Sequence, residues 1–232
     1  MGTAIVWGAL AASSLIIGAL LGLARRWPER WVGLVLAFGA GALISAVSFE
    51  LAEEGRAVGS GASVGIGLAA GALTYWALSR QLARHGGGKG AGTGLALGAF
   101  LDGIPEQLVL GIGVAVGGEV SIGLLVAIFV SNLPEAIGSA TDMRAGGRSP
   151  AQIRLLWLGV AIVCLLATIA GYALADTASG DLQGAIDGFA AGALLVMLVD
   201  SMIPEATEKS GTTAGLLTTL GFAVAAGLSS LS

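Results

Sequence analysis

Charge is what this chain has least of. Only 11% of its 232 residues are Asp, Glu, Lys or Arg, about half the share of an ordinary globular domain, so a water-facing surface over the whole chain is excluded. There is one cysteine, Cys164, which rules out an intrachain disulfide and reads as buried packing inside an apolar run. There is one histidine, His85, in a Gly-rich loop, where a lone imidazole is ordinarily just solvated. Aromatic residues make up 6%, and no basic stripe interleaves with them, so nothing is arranged to hold nucleic acid. The glycines from Gly86 to Gly94 are not followed by Gly-Lys-Ser/Thr and form a linker, not a phosphate loop.

What is abundant is apolar sequence. Hydrophobic residues make up 55% of the chain and the mean hydropathy is +0.88. Runs near 3–24, 31–54, 60–82, 92–116, 120–143, 153–175, 183–206 and 211–231 each approach the roughly 20 residues that carry a helix across the hydrocarbon layer. They are continuously apolar, not alternating, so they predict helices and not a barrel. The first run is too long for a signal peptide and has no charged segment before it. The expectation is one all-α integral membrane domain over 1–232, in which 39 glycines at small-x-x-small spacings let the helices pack closely. Ten of the eleven Lys and Arg residues fall in the odd-numbered loops (Arg25, Arg26, Arg30; Arg80, Arg84, Lys89; Arg144, Arg148, Arg154; Lys209), and only Arg56 falls in an even one. The positive-inside rule then puts both termini outside. Trp7, Trp27, Trp31, Trp76 and Trp157 lie near run ends and read as interfacial anchors.

Two self-similarities organise the runs. Phe38-Gly39-Ala40-Gly41-Ala42-Leu43 returns 151 residues later as Phe189-Ala190-Ala191-Gly192-Ala193-Leu194, and Glu54 aligns with Glu205 at the same offset. Runs one to three therefore look like copies of runs six to eight, and five runs between equivalents make the copies upside down relative to each other. The second similarity joins Ala99-Phe-Leu-Asp102-Gly-Ile-Pro105-Glu106 to Ile128-Phe-Val-Ser131-Asn132-Leu-Pro134-Glu135. These two runs are consecutive and hence antiparallel, so the arrangement reads as three plus two plus three with inverted repeats, a recurrent transporter architecture.

Proline and carboxylates are costly inside a span without a purpose. Pro105 and Pro134 each remove an amide, which should kink the helix and free the carbonyls of Leu101 and Val130. Asp102 and Glu106 share a helix face, as do Ser131 and Glu135, with Asn132 one position around. If the two faces meet, three carboxylates, an amide, a hydroxyl and two carbonyls converge at mid-bilayer. Three such carboxylates repel one another, and a divalent cation or bound protons make the cluster tolerable. Further acids flank a route: Glu50, Glu53 and Glu54 at the outer end of run two, Asp200, Glu205 and Glu208 at the inner end of run seven, and Asp142 beyond Glu135. Glu50 and Asp200 lie deepest and are the added candidate metal ligands; the others read equally well as solvated helix ends.

The paired segments resemble the metal-binding motifs of the ZIP (Zrt/Irt-like) divalent metal transporters, whose fourth span typically reads His-Asn-x-Pro-Glu-Gly. The opening of run seven and its ending Asp200-Ser-Met-Ile-Pro204-Glu205 resemble that family as well. The resemblance covers nearly the whole chain. It implies eight spans with both ends outside, Glu106 and Glu135 as metal ligands, and Asp102 and Asn132 in ligand positions. It also implies that metal is carried as substrate toward the cytoplasm, with no cofactor and no enzymatic activity. The departures bear on the cargo. Gly103 stands where the family has Asn, Gln107 and Ala136 replace the common Gly, and no His occurs in either motif. An all-oxygen set suits Mn²⁺ or Fe²⁺ better than Zn²⁺, so zinc is the expectation by family and not by chemistry, and the loss at Gly103 suggests one metal site. The location expected is a bacterial or archaeal plasma membrane, and the glycine-rich faces are compatible with a homodimer. The competing readings are an intramembrane aspartyl-type hydrolase using Asp102 and Asp200, and a membrane scaffold.

Overall fold

A computed structural model of the chain describes residues 1–86, 103–115 and 122–229; the side chains of Glu50, Glu54, Leu82, Ala83, His85 and Gly86 are also outside the description. Among the described residues every regular element is helical. In chain order they are α1 (Gly2–Ala24), α2 (Glu29–Val58), α3 (Gly61–Gly86), α4 (Gly103–Ala115), α5 (Ile122–Ala145), α6 (Pro150–Thr177), α7 (Asp181–Ser210) and α8 (Thr213–Ser229). α1, α2, α3, α5, α6 and α7 are each long and apolar enough to cross a bilayer, and α4 and α8 are shorter apolar helices. Each falls within or against one of the eight apolar runs, as expected of a multi-pass membrane protein.

The helix ends follow local chemistry. α6 starts on a capping box: the Ser149 hydroxyl accepts from the Gln152 amide at 3.3 Å while the Gln152 side chain accepts from the Ser149 amide at 3.0 Å, with Pro150 at the first helical position. α7 stops at Gly211, whose φ of +66° lies in the left-handed region that glycine adopts freely and from which the chain turns directly into α8. α2 and α7 are interrupted alike. A π-helical stretch runs over Val47–Glu53 in the first and Leu198–Met202 in the second, and its two starting points stand at the same 151-residue offset as the sequence repeat.

Backbone-to-backbone packing at glycines holds the bundle together. α3 and α7 interleave: a Cβ added to Gly67 or Gly71 would collide with the carbonyl oxygen of Ala185 or Phe189, and one added to Gly188 or Gly192 with that of Val64 or Leu68. α2 and α8 meet in the same manner, Gly221 against the carbonyl of Phe38 and Gly41 against that of Thr218. Phe38 and Phe189 are equivalent in the repeat, so the same contact occurs twice. Such close approach is how helices associate in lipid, where apolar burial supplies little drive. A large core lies among α2, α4, α5, α7 and α8 around Leu36, Leu43, Leu110, Ile128, Leu194 and Met197; a smaller one joins α1, α5 and α6 around Leu15, Ala136, Met143, Ile153 and Cys164.

Trp157 belongs to that smaller core. At 1% exposure it is packed on α1 and α5, not set at a lipid interface, because the small residues Ala19, Ala136 and Ala140 open a space there that a large ring fills. Trp31 and Trp76 are exposed, in keeping with an anchor role.

Candidate metal site

The centre is the meeting of α4 and α5. Ser131 Oγ donates to Glu106 Oε1 at 3.0 Å, and also lies 3.0 Å from the carbonyl of Ile128 one turn earlier. Glu106 is 1% exposed, Ser131 0% and Asn132 1%. A glutamate and a serine from the two Pro-Glu segments thus touch in the interior, as the paired motifs require if their faces meet. Glu135 follows Ser131 by one turn on α5 and is half-buried. Pro134 is buried within α5, which continues through it from Ile122 to Ala145. Asn132 brings a side-chain amide whose oxygen and nitrogen are both buried with no hydrogen-bond partner among the described residues. A buried amide left so costs free energy, and it offers an oxygen to a cation.

Neighbouring helices fix this geometry. α2 crosses α5 over Ser131, where Gly39 comes so close that a Cβ would sit 2.9 Å from the Ser131 Cα. On the flank, Gly18 and Gly22 of α1 face the carbonyl oxygens of Leu133 and Ile137, with 2.5 Å to a built Cβ in each case. α6 holds α4: Thr168 Oγ1 donates to Gln107 Oε1 at 2.6 Å, both groups being fully buried, and Gly103 lies against the Cys164 sulfur. The sequence identified Gln107 only as a departure from the usual Gly. In the structure it locks the helix carrying Glu106, and the signal was a Gln and a Thr, each inside an apolar run, that need partners there.

The remaining candidates are placed as follows. Asp102 lies outside the described residues, as do Leu101 and most of the Gly86–Gly94 linker, and the side chain of Glu50 is likewise outside the description. Asp200 is exposed, within the π-helical part of α7, and is not in the buried Glu106–Ser131 centre. Glu53, Asp142 and Glu208 are exposed. Glu205 pairs with Lys209 one turn later at 2.5 Å. Among the described residues no three His, Cys, Asp or Glu side chains come together as a metal site; the pair that does meet is the Glu106 carboxylate and the Ser131 hydroxyl, both oxygen donors, with the buried Asn132 next to Ser131 in the chain.

No family model matches the chain. A protein of Arabidopsis thaliana described as "Putative zinc transporter" is 30% identical over 192 residues, covering 78% of this chain and 31% of that protein. The chain therefore spans about a third of the length of the relative it matches. The likeness is consistent with the family resemblance carried by the two Pro-Glu segments.

Proposed function

We infer that this chain belongs to the ZIP (Zrt/Irt-like) family and moves divalent metal cations across a membrane, with Glu106, Ser131, Asn132 and Glu135 as ligands contributed by two Pro-Glu helices. The observation that carries the reading is the 3.0 Å contact between Glu106 and Ser131, buried between α4 and α5. Its likeness to the plant protein supports the class of cargo. Asp102, one turn before Glu106, completes an oxygen set of three carboxylates, an amide and a hydroxyl, which favours Mn²⁺ or Fe²⁺ and lowers the affinity for Zn²⁺ relative to a site with nitrogen ligands. Glu50 and Asp200 stage ions on either side of it, where acidic groups raise the local cation concentration.

Transport follows from the repeat. The matched contacts Gly71–Phe189 and Gly221–Phe38, and the π-helical stretches at Val47 and Leu198, support a three-plus-two-plus-three arrangement of inverted repeats. Two halves of that kind exchange conformations around a fixed central site and open it to each side in turn. With the arginine-rich loops inside, both termini are external and metal is taken up toward the cytoplasm, in a protein that works as a homodimer. The hydrolase reading needs Asp200 beside Asp102 at the centre, and the exposure of Asp200 gives it no support.

The test is metal competition on the purified full chain. Mn²⁺, Fe²⁺, Zn²⁺, Cd²⁺ and Mg²⁺ are compared for thermal stabilisation, since a ligand that binds only the folded state raises apparent stability. Selective stabilisation by Mn²⁺ or Fe²⁺ that disappears in Glu106→Gln and in Asp102→Ala is expected. Equal response to all five ions, unchanged in both variants, would refute the site.

A further inference from the structure

At the end of α1, two cavities share one arginine. The first, of about 340 Å³, is apolar and opens between α1, α2 and α5; Trp27, Trp31, Val35, Leu133, Pro134 and Ile137 are among its walls and Arg25 stands on its rim. The second, of about 510 Å³, is polar and is lined by Arg25, Arg26, Arg144 and Thr141. Among the described residues no acidic side chain lines either cavity. The nearby acids Glu29 and Asp142 are exposed, and among the described residues no ion pair engages Arg25, Arg26 or Arg144.

Three like charges line the polar cavity, and among the described residues only the Arg144 guanidinium is spent on the backbone. Three of the last four carbonyls of α1 have donors: Leu21 O accepts from the Arg25 amide at 3.2 Å and from Trp27 Nε1 at 3.1 Å, Gly22 O from Thr141 Oγ1 at 3.4 Å, and Leu23 O from Arg144 Nη1. Arg144 spends one guanidinium nitrogen on that cap, and Arg25 stacks on the Trp27 ring at 4.6 Å. The remaining guanidinium donors of the three arginines point to an anionic ligand with several acceptor oxygens, for which arginine forks are suited. The adjoining apolar cavity, with Trp27 and Trp31 among its walls, calls for a hydrocarbon chain on the same molecule.

We propose that this double cavity binds an anionic phospholipid, its phosphodiester among Arg25, Arg26 and Arg144 and one acyl chain between Trp27, Trp31 and Pro134. Basic pockets between spans take lipid headgroups in this way. The acyl chain packs against Leu133 and Pro134, the residues between Asn132 and Glu135, so occupancy braces α5 at the turn where it lacks an amide. The lipid site does not depend on which ion is carried.

The test uses the full chain in detergent micelles titrated with phosphatidylglycerol, phosphatidylcholine or inorganic phosphate, with retained lipid counted by native mass spectrometry. Phosphatidylglycerol should be retained in preference to phosphatidylcholine. Arg25→Gln with Arg144→Gln should weaken its binding roughly 30-fold, at ~1 kcal/mol for each arginine lost near an anionic headgroup, and Arg154→Gln should leave it unchanged. Equal retention of both lipids, equal loss in Arg154→Gln, or full competition by inorganic phosphate would each overturn the proposal, the last because it would mark a free-anion site. Should the double variant fail to fold, the wild-type protein decides. Phosphatidylglycerol brominated on its acyl chains should quench tryptophan fluorescence more than brominated phosphatidylcholine, and the difference should shrink in Trp31→Phe. Identical quenching by the two lipids overturns the assignment.

Discussion

Replacing Gly71 by Ala adds one methyl group to a helix face where there is no room for it. The new Cβ would overlap the carbonyl oxygen of Phe189, and that atom is backbone, so no rotamer can carry it away. α3 and α7 must separate, which also loosens the interlocked contacts of Gly67, Gly188 and Gly192. Overpacking of this kind costs about 1–3 kcal/mol, and because the obstacle is fixed the upper part of that range is expected. Gly221→Ala meets the equivalent carbonyl of Phe38 and should cost the same within about 1 kcal/mol. Gly65→Ala and Gly215→Ala lie on the same two helices with nothing within 4 Å of the added atom. There the alanine should stabilise, by up to roughly 0.5–1 kcal/mol, through its better helix propensity. Thermal unfolding in detergent reads all four, at about 2–4 °C per kcal/mol for a chain of this size. Equal shifts for Gly71→Ala and Gly65→Ala would refute the packing argument, and a large cost at Gly71 with none at Gly221 would refute the equivalence of the two contacts.

Thr168→Val keeps the shape of the side chain but removes the donor to Gln107, leaving that buried amide oxygen without it; a loss of about 1–3 kcal/mol is expected in thermal unfolding, largely restored by Thr168→Ser. Ser149→Ala removes the α6 capping box and should cost about 1 kcal/mol, with faster amide exchange confined to the first turn of α6 and metal uptake unchanged. Trp157→Ala should destabilise by about 3–5 kcal/mol because the ring fills a core, whereas Trp31→Ala, on an exposed ring, should cost less than 1 kcal/mol; comparable losses at both would return Trp157 to the interface.

Much of this architecture could be read from residue order because bilayer thickness fixes the length of a span. Each of the eight helices among the described residues overlaps one apolar run, and the 151-residue echo of Phe38-Gly-Ala-Gly in Phe189-Ala-Ala-Gly became two matched glycine contacts. The face shared by Ser131 and Glu135 follows from helical periodicity alone, and its contact with Glu106 from the likeness of the two segments. Other features depend on tertiary context. The π-helical turns at Val47 and Leu198 have no local signature, since Val47-Ser-Phe-Glu would continue an α-helix equally well. Trp157 sits near a run end like the other tryptophans, and only the small residues of α1 and α5 opposite it make it a core residue. The pairing of Gln107 with Thr168 joins positions 61 residues apart, which no periodicity connects.

The central claim, that metal passes through the carboxylates of the two Pro-Glu helices, is tested most directly by uptake into proteoliposomes loaded with a metal-sensitive dye. Wild-type protein should raise the internal Mn²⁺ or Zn²⁺ signal above protein-free vesicles, and Glu106→Ala and Glu135→Ala should each return it to that background while both variants still unfold cooperatively on heating. Uptake that continues at the wild-type rate in either variant would contradict the account.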